Sequence, residues 1–167
     1  MATKIIDKPK GINKKLGKYK FDESFEPAAI QRAEKVMVQN TQTFKEAVLG
    51  DFEMLKTAFQ STNSQQINSI DYRKIYALSF SIKSRAGNAG FKIASEVANS
   101  LYQFCDIASK NQMPEGYDVI RLHFNSLDEI FSGKFNESDT EKAEKLTSGL
   151  AAIAAKALKN NNIGIAS

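Results

Sequence analysis

Few residues of this chain could carry out chemistry. It contains one histidine, His123, and one cysteine, Cys105. His123 lies three residues after Ile120 and four before Leu127, on the apolar stripe of a predicted helix, and Cys105 lies in another such stripe. One residue of each type leaves too few ligands for a transition metal, and the G-x-x-x-x-G-K-[ST] phosphate-binding loop is absent from the sequence. The sequence therefore predicts a protein that is not an enzyme and has no cofactor or metal.

Aromatic side chains form the second notable pattern. On a helix, Phe80 lies roughly 200° from Leu78 and roughly 160° from Ile82, opposite the stripe that should face the core. Tyr72 and Tyr76 precede Phe80 by eight and four positions, and we expect them on the same outward face. Basic residues flank this row. An exposed aromatic row of this kind predicts a protein interface. The alternative is that the N-terminal arm or the first helix covers the rings.

Five stretches of apolar residues at helical spacing would position these side chains. The first runs from Pro27 to about Ala58, with a disturbance expected at Gly50, and a polar break follows over residues 61–66. The remaining four are a helix from Ile67 that ends near Gly87 and Gly90, a helix carrying Ile93 to Cys105, a helix carrying Ile120 to Phe131, and a last helix opened by a Ser138/Glu141 capping box. Short connections between them predict an all-α fold, an up-down antiparallel four-helix bundle with an extra helix.

Charge separates the N-terminal segment from the rest. The chain has a net charge of +4, and residues 1–20 contain seven lysines and one acid. We therefore divide the sequence into an irregular basic N-terminal arm (1–25), a helical bundle (26–160) and a C-terminal tail (161–167). The arm is a candidate site for nucleic acid or an acidic partner, although it has no arginine, so a solvated tail is the favoured interpretation. The absence of a signal peptide or a long apolar run predicts a cytoplasmic protein without membrane insertion.

The segment S-F-S-I-K-S-R-A-G-N-A-G, Ser79 to Gly90, resembles the phosphoacceptor loop of histidine-containing phosphotransfer (HPt) domains, which reads roughly A-H-x-x-K-G-x-x-G-x-x-G. Lys83, Gly87 and Gly90 match the pattern, and Ser84 replaces a glycine. Phe80 occupies the position of the phosphoacceptor histidine. Further segments resemble an alphaproteobacterial group of HPt proteins: 3–9, 29–34, 90–106 and 119–127.

This resemblance implies an HPt-type bundle in bacterial two-component phosphorelay signalling. It also implies that the usual phosphoacceptor is missing, since a phenyl ring cannot carry a phosphoryl group. The expected function is docking or regulation, through binding of a response-regulator receiver domain or a histidine kinase. The residues expected to bind the partner are Tyr72, Arg73, Tyr76, Phe80, Lys83, Ser84 and Gly87.

Two other functions remain open from the sequence. One is an adaptor that binds nucleic acid or an acidic partner through the lysine-rich arm. The other is a structural bundle that forms homodimers through its exposed aromatic residues. The sequence does not fix the oligomeric state, the identity of the partner, or whether binding activates or inhibits.

Overall fold

The computed structural model describes residues 27–62, 67–111, 113 and 116–161. Its regular elements are five α-helices: α1 (Pro27–Gln60), α2 (Ser69–Ala86), α3 (Lys92–Lys110), α4 (Tyr117–Phe131) and α5 (Thr140–Asn160). The predicted all-α bundle is therefore confirmed as a fold class. The predicted basic arm and nearly all of the tail lie outside the described residues.

The chain divides into two units, Met1–Val36 and Met37–Ser167. Helix α1 begins in the first unit and ends in the second. All of the packing described below belongs to the second unit. No helix of the described part is long and apolar enough to cross a membrane.

The helix ends show where local sequence signals were interpreted correctly and where they were not. Gly50 does not interrupt α1, because a single glycine costs a helix only about 1 kcal/mol. The last helix is capped by Asp139, whose carboxylate accepts the backbone N–H of Lys142, so the predicted Ser138 capping box is wrong by one residue. A capping box that was not predicted opens α2. The Asn68 side chain accepts a hydrogen bond from the backbone N–H of Asp71, and the Asp71 carboxylate accepts one from the backbone N–H of Asn68.

Helices α2 and α3 form an antiparallel pair. The ring of Tyr72 meets Phe104 near one end of the pair, and Ser95 Oγ donates to the Lys83 carbonyl near the other. Residue numbers on α3 therefore fall as those on α2 rise. The turn between the two helices uses Gly90 at a φ of 90°, a conformation that favours glycine. This pairing decides which α3 residues lie beside the predicted interface.

Aromatic rings join α1 to α4, again antiparallel. Phe52 packs on Phe131 and Phe124, and Phe59 packs on Phe124 and Tyr117, with ring centroids 4.8–5.5 Å apart. Such ring pairs contribute beyond the apolar area that they bury. The aromatic residues of α1 and α4 thus hold the C-terminal half of α1 against the core.

A buried carboxylate links α1 to α2. Asp51 is only 4 % exposed, and its Oδ2 accepts hydrogen bonds from Ser81 Oγ at 2.7 Å and from the Arg85 guanidinium. A buried charge is tolerated only when it is paired and hydrogen-bonded, and here both conditions hold. The Arg85 charge is thereby directed towards α1.

Candidate functional site

Phe80 lies in the middle of α2 and is exposed, as the helical spacing predicted. The residue is 50 % exposed, although it is large and apolar. Tyr76, one turn earlier, is half-buried and lies on the same side of the helix. The two rings thus begin an apolar surface on the outside of α2.

Tyr102 of α3 completes this surface and was missed in the sequence analysis. Its ring stacks on Tyr76 with centroids 4.7 Å apart and lies 5.5 Å from the Phe80 ring. The Tyr76 hydroxyl donates to the Tyr102 hydroxyl at 3.3 Å. This hydrogen bond, followed by partial burial, raises the pKa of Tyr76. We call Tyr76, Phe80 and Tyr102 the aromatic patch.

Tyr72 does not belong to the patch, and the prediction that it is exposed is wrong. Its side chain is fully buried, packs against Phe104, and donates its hydroxyl hydrogen to the Met113 carbonyl. The error lies in the helical count, since eight residues advance about 80° beyond two full turns. That rotation moves Tyr72 to the core side, beside Ile75. Burial raises the pKa of Tyr72 well above the usual value for a tyrosine.

Lys83 borders the aromatic patch. Its ammonium group lies 5.0 Å from the centre of the Tyr102 ring, within the range of a cation–π interaction. Arg73 is exposed on the same helix. The patch therefore combines apolar rings with positive charge, a composition that suits a partner with an acidic surface.

The two small residues of the predicted site lie beyond Phe80 on α2. Ser84 is exposed and donates its hydroxyl hydrogen to the Phe80 carbonyl, so that this hydroxyl is already engaged. Gly87 is exposed at the end of the helix, and a Cβ atom there would come no closer than 3.9 Å to Ser95. The backbone in this region is open to a partner surface.

His123 is buried in the core, as predicted, with an exposed fraction of 0 %. Its Nδ1 lies 2.7 Å from the Val119 carbonyl, to which it donates, and its Nε2 accepts from Ser100 Oγ at 2.9 Å. Burial lowers the pKa of His123, and the bond to Val119 opposes this effect. The imidazole is therefore neutral at pH 7 and both of its nitrogens are engaged, which makes it unsuited to accept a phosphoryl group.

Cys105 is also a core residue, as predicted. It is fully buried on α3, and burial raises the pKa of its thiol. Within the described residues, no three histidine, cysteine, aspartate or glutamate side chains are grouped so as to hold a metal ion. The aromatic patch is therefore the candidate functional surface.

Comparison with protein-family models, with curated proteins and with solved structures found no match.

Proposed function

We propose that this protein is an HPt-like docking module that binds a receiver domain, or the histidine kinase that acts on one, without passing phosphate. The observation that carries the proposal is the exposed Phe80 in the middle of α2, at the position that the resemblance gives to the phosphoacceptor. A phenyl ring at this position can make contact but cannot accept a phosphoryl group.

The surroundings of Phe80 support binding. Three rings from two helices give a rigid apolar centre, and aromatic residues are enriched among those that dominate binding energy. Lys83 adds positive charge beside this centre, and Arg73 is exposed on the same helix. A partner with an acidic surface would complement this charge. Because His123 is buried, it does not offer an alternative phosphoacceptor.

The test is a binding titration of the full chain against purified receiver domains and histidine-kinase domains from the source organism. Phe80→Asp should weaken binding at least tenfold, because it replaces the apolar centre with a charge that repels an acidic partner. Met54→Asp is the matched control, since Met54 is 53 % exposed on another helix. It should bind like the wild type.

Two outcomes would refute the proposal. Equal binding by Phe80→Asp and the wild type would show that the aromatic patch is not the docking surface. Transfer of radiolabelled phosphate from a phosphorylated receiver to the wild-type chain would show that the protein is not a pseudo-phosphotransfer module.

A further inference from the structure

The hydroxyl group of Tyr102 has a hydrogen-bond donor that the helical bundle does not use. A tyrosine hydroxyl has one hydrogen to donate, and its oxygen can accept hydrogen bonds as well. The Tyr102 oxygen accepts the hydrogen of the Tyr76 hydroxyl at 3.3 Å, and across the part of the chain that the structure describes, Tyr102 donates to no other group. Tyr102 is half-buried at the surface of α3. Its hydroxyl hydrogen is therefore available to an acceptor on another molecule.

Two neighbours make this hydroxyl suited to a charged acceptor. A hydroxyl that accepts one hydrogen bond is polarised by it and donates the next one more strongly, and Tyr76 supplies that first bond. The Lys83 ammonium group lies 5.0 Å from the centre of the Tyr102 ring. This contact fixes the position of the ammonium group but does not neutralise its charge. A positive charge beside the ring favours a negative charge on any acceptor that the hydroxyl meets.

The carboxylate of Asp106 offsets little of this positive charge. Asp106 lies one turn beyond Tyr102 on α3, and its Oδ2 atom is already paired with the Lys110 ammonium group at 2.8 Å. Within the described residues, the Lys83 ammonium group has no carboxylate within 4.0 Å. The space beside Tyr102 and Lys83 therefore suits a carboxylate better than a neutral carbonyl group.

This donor lies at the edge of the apolar contact area. The ring centres of Phe80 and Tyr102 are 5.5 Å apart, so a protein surface seated on Phe80 comes within reach of the Tyr102 hydroxyl. Contact with the rings also excludes water from their surroundings, and a hydrogen bond is stronger where water is excluded.

We propose that the Tyr102 hydroxyl selects the partner by donating a hydrogen bond to an aspartate or glutamate carboxylate on its surface, beside the apolar contact with Phe80. Lys83 pairs with the same carboxylate. This inference rests on the proposed docking function and adds the chemical group that the partner must present. A partner without that carboxylate would contact Phe80 but leave the Tyr102 hydrogen without an acceptor, which weakens binding. Tyr102 is in this sense a specificity-determining residue.

The test uses the full chain and the receiver or histidine-kinase domain that binds it most tightly. Tyr102→Phe keeps the ring and removes the hydroxyl, and it should weaken binding at least tenfold, because hydrogen bonds to charged acceptors are among the strongest in proteins. Tyr76→Phe is the matched control. It removes the other hydroxyl of the pair and leaves the Tyr102 donor in place, so its affinity should stay within about threefold of the wild type. Circular dichroism checks that both variants fold.

Replacing the acidic residues of that domain one at a time by alanine identifies the acceptor. One replacement should weaken binding to the wild-type chain, and its effect should be at least about fivefold smaller with Tyr102→Phe, since both changes remove the same hydrogen bond. If no acidic residue shows this coupling, the acceptor is not a carboxylate and the inference is wrong.

The outcomes also separate the inference from the proposed function. Weaker binding by Phe80→Asp together with unchanged binding by Tyr102→Phe would keep docking at the aromatic patch and refute the role of Tyr102. A loss of affinity in Tyr76→Phe, with none in Tyr102→Phe, would assign the free donor to Tyr76 and refute it as well. If no domain binds, or if Phe80→Asp binds like the wild type, the proposed function is refuted and the inference falls with it.

Discussion

The contact between Gly116 and Tyr72 allows a direct test of the burial of Tyr72. A Cβ atom at Gly116 would lie 2.0 Å from the Tyr72 hydroxyl oxygen and 3.0 Å from Phe104 Cζ. Gly116→Ala must therefore displace the hydroxyl, which donates to the Met113 carbonyl. Overpacking costs about 1–3 kcal/mol, and a buried carbonyl without its donor costs about 1–3 kcal/mol more. We expect a total loss of about 4 kcal/mol of unfolding free energy.

Tyr72→Phe shows how much of this loss comes from the hydroxyl. Alone, it leaves the Met113 carbonyl without a donor and should cost about 1–2 kcal/mol. In the double variant with Gly116→Ala, the atom that the new methyl group meets at 2.0 Å is gone, and the nearest contacts are at 3.0 Å. The double variant should therefore be about 2 kcal/mol more stable than the sum of the two single effects predicts.

Urea unfolding followed by circular dichroism measures these free energies. Gly149→Ala is the matched control, because a Cβ atom there would meet nothing within 4 Å, and it should stabilise the helix by up to about 1 kcal/mol. Strictly additive effects of Gly116→Ala and Tyr72→Phe would refute the reasoning. They would mean that the Tyr72 hydroxyl does not lie against Gly116.

Three further predictions follow from the site and the core. Because burial lowers the pKa of His123 below 6.5, the unfolded chain takes up a proton at that residue before the folded one does. Stability should therefore be full above pH 6.5 and fall by up to about 1.4 kcal/mol per pH unit below it. The free energy of unfolding, measured by urea titration at several pH values between 7 and 5, should fall more steeply with decreasing pH in the wild type than in His123→Gln. Equal slopes for the two proteins would contradict the prediction. Asp51→Ala removes the acceptor of two hydrogen bonds and should cost about 2–3 kcal/mol, whereas Ser81→Ala removes one of these bonds, leaves the ion pair with Arg85 in place, and should cost about 1 kcal/mol. Equal losses in urea unfolding would argue against Asp51 as the centre of this contact. Phe80→His should gain phosphate acceptance from phosphorylated receiver domains, measured by radiolabel transfer, and no gain would show that the surroundings of the site are not competent for transfer.

The sequence was sufficient for predictions that depend on local order. The apolar period placed all five helices, and it assigned His123 and Cys105 to the core because each lies on an apolar stripe. It also placed Phe80 outside, since the residue lies opposite such a stripe. Prediction failed for Tyr72, because the rotation of about 80° between Phe80 and Tyr72 is enough to move the side chain from the surface to the core.

Contacts between helices could not be predicted from the helical period. Tyr102 reaches Phe80 only because α2 and α3 pair antiparallel in one particular register, and a single sequence does not specify that register. The same holds for the bond from Arg85 to Asp51, which are 34 positions apart. Side chains on separate helices meet through packing of the whole bundle, which no local pattern encodes.

By itself, the sequence determined that this chain forms helices, that its histidine and cysteine lie in the core, and that an aromatic ring stands exposed in the middle of the second helix. These features follow from spacing along one helix. Only the tertiary structure decided that Tyr102 completes the aromatic patch and that Lys83 lies beside its ring. Those features depend on how helices pack against one another, because the final position of a side chain is set by the neighbouring helices that cover it or leave it exposed.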